Sequence, residues 1–213
     1  MKMKTRQMKV EEREERRKPV KKLPEPVKGV NILKAGEAGS RTFRELLERQ
    51  AAVSEQVLWI DGGNTAKASG ISADNISVAR AFTAHQHHTL VHRAVRKAGE
   101  NDAVFLSVPS RLYAADEVGH WEGIEMLEEA VRELRERAEE LEIPVVASVT
   151  GETEHAAVLE SAAVKEIESK RTSQGRKLSS DGFRTLFYTV PGGVQTTVPY
   201  WELSAEVKTS GPY

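Results

Sequence analysis

Runs of apolar residues separated by small or polar residues predict a series of buried strands in the first two thirds of the chain. The clearest run is Val57-Leu58-Trp59-Ile60-Asp61, which is continuously apolar and ends in an acid. Strands that are buried on both faces of a parallel sheet have this pattern. Less regular runs predict four further strands, at residues 29–33, 75–82, 103–108 and 144–149.

Segments with apolar residues three and four positions apart predict helices between these strands. In residues 42–52, for example, Phe43, Leu46 and Leu47 fall on one stripe. Three more helices are predicted, at residues 84–97, 121–141 and 156–170. The helix at 121–141 is rich in Glu and Arg at helical spacing, and such pairs stabilise an exposed helix by only about 0.2–0.5 kcal/mol each.

The last part of the chain has a different pattern. Residues 171–182 are polar and basic and contain Gly and Ser, which predicts a loop. Residues 183–190 and 194–201 alternate in polarity around Pro191-Gly192-Gly193, which predicts a β-hairpin. Strands that alternate with helices predict an α/β domain with a mainly parallel central sheet, here ending in an antiparallel hairpin.

The first 28 residues differ from the rest in charge and composition. They contain eleven Lys or Arg against five Glu, a net charge of +6, and three prolines. The formal net charge of the whole chain is −1, which leaves −7 for the remainder. We predict a disordered basic arm at residues 1–28, a single domain at 29–205 and a flexible tail at 206–213. The arm is interpreted either as a solubilising tail or as a segment that seeks an anionic or protein partner.

The composition excludes some kinds of site. The 213 residues include no cysteine, so disulfides, thiolate metal sites and a cysteine nucleophile are excluded. No apolar run approaches the roughly 18 residues that a membrane-spanning helix needs. We therefore expect a cytoplasmic protein with no membrane partner.

A stretch of small residues connects the first predicted strand to the first predicted helix. Its candidate residues for a nucleotide-binding loop are Gly36, Glu37, Gly39, Ser40, Arg41 and Thr42. Backbone N–H groups at a helix start after such a turn can bind phosphate. The phosphate-binding pattern G-x-x-x-x-G-K-[ST] is not matched, because Ser40-Arg41 stands for Gly-Lys and Ala35 for the first Gly, unless one residue is missing after Ser40. Two interpretations remain: a plain helix start, or residual nucleotide binding through backbone N–H groups and Thr42.

Four segments, in this order, resemble the core ATPase domain of the RecA superfamily, and the archaeal RadA and RadB recombinases and KaiC-like relatives in particular. The loop resembles G-E-x-G-S-G-K-T with its last Gly deleted and its Lys replaced by Arg41. Trp59-Ile60-Asp61-Gly62-Gly63-Asn64-Thr65 resembles W-I-D-T-E-N-T, and Ile76-Ser77-Val78-Ala79-Arg80-Ala81-Phe82 resembles I-Y-V-A-R-A-F. Val104-Phe105-Leu106-Ser107 resembles the Walker B strand. The resemblance covers about residues 31–150 and implies a RecA-like three-layer αβα fold.

The departures from the resembled pattern fall on its chemical positions. Gly63 stands where the family has the glutamate that activates water, and Ser107 stands where it has the Walker B acid. Arg41 lies near the Lys position in a loop that is one residue short. Three lost charge-assisted contacts cost about 5–9 kcal/mol, enough to take micromolar ATP binding past millimolar. The resemblance therefore implies a pseudo-ATPase with no cofactor.

On this interpretation the chain acts by binding, to DNA or to a DNA-processing protein, in recombination, repair or replication. Self-association, or packing on a RecA-family member, would fit the same resemblance. Two alternatives stay open: a slow or vestigial ATP-binding switch of the KaiC type, and a pure protein-interaction module.

Basic residues near the predicted hairpin are candidate nucleic-acid contacts. They are Lys170, Arg171, Arg176, Lys177 and Arg184. Loops in this part of the resembled recombinases line the DNA path, and cations at this spacing suit contacts to backbone phosphates. The alternative is a solvated loop without a ligand.

Four of the six histidines lie within eight residues. His85, His88 and His92 share one face of the predicted helix, a spacing that could hold a metal ion. Because no carboxylate lies within the cluster, we predict no metal site, and we interpret the histidines as packing groups or as a pH-sensitive surface.

Overall fold

The computed structural model describes residues 23–35, 39–62, 73–172, 175–180, 183–190 and 193–196. The strands are β1 Gly29–Ala35, β2 Val57–Asp61, β3 Ile76–Arg80, β4 Ala103–Ser107, β5 Pro144–Val149, β6 Lys165–Thr172, β7 Gly175–Ser180, β8 Phe183–Val190 and β9 Gly193–Thr196. The helices are α1 Gly39–Ala51, α2 Ala84–Lys97, α3 Pro109–Tyr113, α4 His120–Leu141 and α5 Glu154–Ser161.

The described strands form one sheet in the order β3-β2-β4-β5-β1-β6-β7-β8-β9. The six strands from β3 to β6 pair in parallel. The last three strands, β7 to β9, are added in antiparallel fashion. The carboxyl ends of the six parallel strands therefore meet at one edge of the sheet, where ligands of open α/β sheets bind.

Helices cover both faces of the sheet and bury two separate hydrophobic clusters. On one face, α1 packs Phe43, Leu46 and Leu47 against Trp59 and Phe105 of the central strands. The rings of Phe43 and Phe105 meet edge to face, with centroids 5.5 Å apart. On the other face, the larger cluster combines α2, α4 and α5 with the opposite sides of the same strands. These layers confirm the prediction of a three-layer αβα fold with a mainly parallel sheet.

Most elements of the parallel sheet lie where the hydrophobic pattern predicts them. The strand at residues 57–61 and the helix at 84–97 have the predicted bounds, and the helix predicted at 121–141 begins one residue earlier. The predicted C-terminal hairpin is confirmed as far as the described residues reach, because β8 and β9 pair with Val190 opposite Gly193. Residues 197–201 of its second arm lie outside the described part.

Two predictions near the C-terminus are wrong. The helix predicted at residues 156–170 ends at Ser161, and residues 165–172 form β6 instead. The loop predicted at 171–182 contains β7, which pairs with β6. Both segments are mostly polar, but each directs one apolar side chain, Ile167 and Leu178, into the core beside α1. The pairing of β6 with β1 and of β7 with β6, together with the burial of these two side chains, overrides the local helical and loop character.

The segment before β1 is in contact with the domain from Leu23 onward. Leu23 belongs to the cluster beneath α1, and Arg49 donates a hydrogen bond to its carbonyl oxygen. The buried side chain of Asn31 bonds both the N–H and the C=O of Val27. The proposed division into arm, domain and tail stays a prediction, because residues 1–22 and 197–213 lie outside the described part. Within the described helices, no segment is long and apolar enough to cross a bilayer.

Candidate functional site

The stretch that resembles a nucleotide-binding loop connects β1 to α1, but the helix begins at Gly39, three residues before the predicted start, so that Gly39 to Thr42 belong to its first turn. Gly36 and Glu37 fall outside the described residues, and α1 begins with the backbone of Gly39 and Ser40. Arg41 lies half a turn into the helix, with Nε 3.1 Å from Glu45 Oε1. This pair at i and i+4 directs the Arg41 side chain along the helix that bears it.

The Thr42 hydroxyl is buried in a polar network that links α1 to the β6–β7 pair. Its Oγ1 lies 2.9 Å from Ser169 Oγ and accepts a hydrogen bond of 2.8 Å from Arg176 Nη1. The other terminal nitrogen of Arg176 donates to Glu45 Oε2 at 2.6 Å. The side chains of Arg176 and Glu45 are only 11% and 15% exposed. The hydroxyl that the resemblance assigns to a metal-bound nucleotide is thus engaged within the domain.

A second buried network lies at the carboxyl ends of β2 and β4. Asp61 and Ser107 are paired residues of these neighbouring strands, and both are buried. Ser107 Oγ donates to Asp61 Oδ1 at 2.8 Å and accepts from Trp59 Nε1 at 3.2 Å. Arg80, at the end of β3, places Nε 3.8 Å from Asp61 Oδ2. Ser107, predicted as a lost Walker B position, is therefore the bridge between a buried carboxylate and a buried indole; Gly63, the other lost position, lies outside the described residues.

The chain turns sharply directly after Ser107. Val108 has φ 49° and ψ 47°, a left-handed conformation that costs a β-branched residue free energy. Its N–H donates to Ser148 Oγ at the end of β5, 2.9 Å away. The turn leads directly into α3, whose Tyr113 is fully buried.

Behind this edge, α2 and α3 hold a buried histidine against a tyrosine. His87 Nδ1 lies 3.0 Å from Tyr113 Oη, and within the described part His87 Nε2 has no partner. Burial, assisted by the nearby His88, lowers the pKa of His87 to about 4. Burial also raises the pKa of Tyr113. Both groups are therefore neutral near pH 7.

The candidate nucleic-acid contacts divide between the two faces of the β6–β7 pair. Lys170 lies opposite Lys177, and Arg171 lies opposite Arg176. Because side chains alternate along a strand, the lysines share one face and the arginines the other, the face on which Arg176 meets α1. The side chain of Arg184 is outside the described part.

An acidic neighbour accompanies the lysine pair. Lys170 is 65% exposed and contacts Glu168 Oε1 at 2.5 Å. The hydrogen bond from Lys170 holds the pKa of Glu168 below its usual value. The structure thus brings Lys170 and Lys177 together, next to one carboxylate, but it does not bring the predicted cations into one patch.

The predicted histidine cluster on α2 faces acidic residues that the sequence reasoning missed. Three pairs bridge α2 and α4: His85 with Glu122, His88 with Glu129, and His92 with Glu133. The carboxylates lie 37 to 41 positions further along the chain, so the sequence around the histidines does not contain them. The matching signal was present, since glutamates recur on the predicted helix at spacings of four and seven.

Comparison with protein-family models gave no match, and neither did comparison with curated proteins.

Proposed function

We propose that this chain is a non-catalytic relative of the RecA-like ATPases that acts by binding DNA or a DNA-processing protein in the cytoplasm. The observation that carries the proposal is that polar side chains near the carboxyl edge of the sheet bond each other. Side chains at positions where the resembled enzymes hold nucleotide and metal are engaged with other side chains of the domain.

The arrangement of the elements supports the resemblance part of the proposal. The segment that resembles W-I-D ends β2, and the segment that resembles the Walker B strand is β4. These two strands are neighbours, with Asp61 paired to Ser107. The degenerate loop precedes a helix, as a phosphate-binding loop does.

The contacts at this edge support the non-catalytic part. Phosphoryl transfer needs a cation at the β- and γ-phosphates, a hydroxyl and an acid for Mg²⁺, and a group that orients water. Here Thr42 Oγ1 accepts a hydrogen bond from Arg176, and Ser107 Oγ bonds Asp61. A nucleotide with Mg²⁺ would have to break both contacts, so we expect neither ATP binding at millimolar concentration nor ATP hydrolysis.

The lysine pair supports the binding part of the proposal, with Lys170 exposed and Lys177 half-buried. Lys170 and Lys177 are opposite residues of an antiparallel pair, and the Cβ atoms of such residues are about 4.5–5.5 Å apart. Two lysine side chains that start from neighbouring positions can contact adjacent phosphates of a nucleic-acid backbone without reading its sequence. The carboxylate of Glu168 offsets part of the positive charge of the lysine pair, so we predict a modest affinity for DNA that depends strongly on salt.

Fluorescence anisotropy with labelled single-stranded and duplex DNA tests the proposal. Affinity should fall as salt rises from 50 to 200 mM, with a slope of roughly 0.7–0.9 for each phosphate contact. The double variant Lys170→Gln/Lys177→Gln should lower that slope by about 1–2. The matched control, Arg96→Gln/Lys97→Gln, removes the same charge from the end of α2 and should leave the slope unchanged.

Four results would count against the proposal. If the affinity for DNA does not depend on salt, or if both double variants lower the salt slope equally, Lys170 and Lys177 are not the DNA-binding surface. ATP hydrolysis by the purified chain removes the non-catalytic assignment. Failure to bind any DNA, together with recovery of one protein partner from nuclease-treated extract, leaves the protein-interaction alternative.

One observation favours that alternative, a module that adds a partner's strand to its sheet. Among the described strands, β3 lies at one end of the sheet; Val78 within it and Phe82 just after it are 43% and 67% exposed. An exposed strand edge with apolar side chains is a template for pairing with another chain. Light scattering after size exclusion should then show concentration-dependent association that Phe82→Lys abolishes and the control Val53→Lys, at another exposed valine, does not.

A further inference from the structure

Helices α2 and α4 run side by side with histidines on one and glutamates on the other. His88 and His92 are one helical turn apart on α2, the spacing at which two imidazoles can share a metal ion. Their side chains are 16% and 27% exposed, so they lie in the groove between the helices. Glu129 and Glu133 occupy equivalent successive turns of α4.

The four side chains form a continuous chain of contacts. Glu129 Oε2 lies 3.1 Å from His88 Nε2, and Glu133 Oε2 lies 2.5 Å from His92 Nδ1. Between the two rings, His88 Nδ1 lies 3.1 Å from His92 Nε2. One ligand atom from each of His88, His92 and Glu129 lies within 4.8 Å of the others.

Proton counting shows that this chain of contacts lacks one cation. A carboxylate only accepts, so each outer contact requires an N–H on the histidine nitrogen that faces it. A neutral imidazole carries one N–H, so His88 Nδ1 and His92 Nε2 then both present lone pairs. Two lone pairs at 3.1 Å repel each other unless a proton or a metal ion lies at that point.

We propose that this point is a binding site for a divalent transition-metal ion, Zn²⁺ in the first instance, held by His88, His92 and Glu129. Two nitrogens bound to one tetrahedral zinc ion at about 2.0–2.1 Å are roughly 3.3–3.4 Å apart. The observed 3.1 Å between His88 Nδ1 and His92 Nε2 needs an adjustment of only a few tenths of an ångström. Glu129 turns from His88 Nε2 to the ion as the third ligand, and water completes the set.

Glu133 is a positioning residue in this arrangement. A carboxylate that accepts the second N–H of a ligating histidine fixes its tautomer and the orientation of its ring. Glu133 does this for His92 Nδ1, which leaves Nε2 directed at the ion. Because the ligands come from two helices, the ion fastens α2 to α4. This role is independent of DNA binding and of the nucleotide loop.

Metal binding to the full chain, with any histidine tag removed, tests the proposal. Equilibrium dialysis with Zn²⁺ should give one equivalent per chain, and Co²⁺ should give the visible absorption of a four-coordinate site. His88→Gln, His92→Gln and Glu129→Gln should each weaken zinc binding by at least about tenfold, and Glu133→Gln should weaken it less. Zinc should also raise the melting temperature of the wild-type chain, and a chelator should reverse this.

Two histidines provide matched controls. His85 lies on the same helix, but it is 65% exposed, and its Nε2 is 3.8 Å from Glu122. His120 contacts Glu154 Oε2 at 2.8 Å, beside His155. His85→Gln and His120→Gln should bind zinc as the wild type does. The proposal is overturned if the wild type binds no zinc at 100 µM, or if either control loses the ion. It is also overturned if His88→Gln and His92→Gln both retain it while melting as cooperatively as the wild type.

Discussion

Replacing Ser107 with alanine tests whether this position has become structural. In the folded chain, Ser107 Oγ bonds the Asp61 carboxylate at 2.8 Å and the Trp59 indole at 3.2 Å, and all three side chains are buried. Ser107→Ala removes one oxygen atom and leaves the backbone of β4 unchanged. The measured effect therefore reports the interactions of this hydroxyl, including its hydrogen bonds to Asp61 and Trp59.

The expected loss of stability follows from the two contacts. A hydrogen bond to a charged group contributes about 1.5–3 kcal/mol, and a buried donor left without its acceptor costs about 1–3 kcal/mol. Because the neighbours relax in part, we expect a total of about 2–4 kcal/mol. For a chain of this length, that loss lowers the melting temperature by roughly 5–15 °C.

Urea unfolding followed by circular dichroism and tryptophan fluorescence measures the change. Ser77→Ala is the matched control, because Ser77 lies on β3, a parallel strand of the same sheet, where its Oγ accepts a hydrogen bond from Gln56 at an exposed position. The control should change the free energy of unfolding by less than about 0.5 kcal/mol. Equal stability of Ser107→Ala and wild type would refute the structural role of Ser107, as would equal losses in the two variants.

Three further predictions concern other parts of the domain. Gly123→Ala on α4 should destabilise the chain, because a Cβ at this position would lie 2.2 Å from the Tyr113 carbonyl oxygen. Alanine is normally the better helix former by about 1 kcal/mol, so a Gly123→Ala chain that melts above the wild type contradicts the prediction. In the control Gly119→Ala the new Cβ meets only ordinary contacts. Because burial lowers the pKa of His87 to about 4, the unfolded chain binds more protons than the folded chain between pH 6.5 and pH 4. The free energy of unfolding is therefore undiminished above pH 6.5 and decreases as the pH falls, by about 2 kcal/mol from pH 7 to pH 5. The midpoints of urea unfolding should fall less over this range in His87→Gln than in the wild type. A double-mutant cycle with Glu45→Gln and Arg176→Met should give a coupling of about 1.5–3 kcal/mol, and a coupling near zero in urea unfolding would show that this mostly buried pair does not hold α1 to β7.

The parallel part of the fold could be predicted from the sequence because its strands carry continuous apolar runs. Val57–Asp61 is buried at every position, and the run that predicted it has the same bounds. The amphipathic stripe of α1 likewise predicted which side chains enter the core. In these elements local pattern and tertiary packing agree, so sequence reasoning is sufficient.

Strands β6 and β7 could not be predicted, because their formation depends on pairing with β1, far away in the chain, and with each other. Residues 165–172 contain one apolar core residue, Ile167, among charged ones, a composition that suits a helix surface equally well. Only the parallel pairing with β1 decides the outcome. The same limit applies to the polar groups: Arg176 was interpreted as a candidate phosphate contact, and nothing local shows that Glu45, 131 residues away, receives its guanidinium.

The left-handed conformation of Val108 lies at the junction between β4 and α3. A β-branched residue held in this conformation stores about 1–3 kcal/mol of strain, which persists only while its surroundings impose it. One contact that holds Val108 in place is the hydrogen bond from its N–H to Ser148 Oγ. A change at the carboxyl edge of the sheet that breaks this hydrogen bond would leave the backbone at Val108, and with it the start of α3, less constrained.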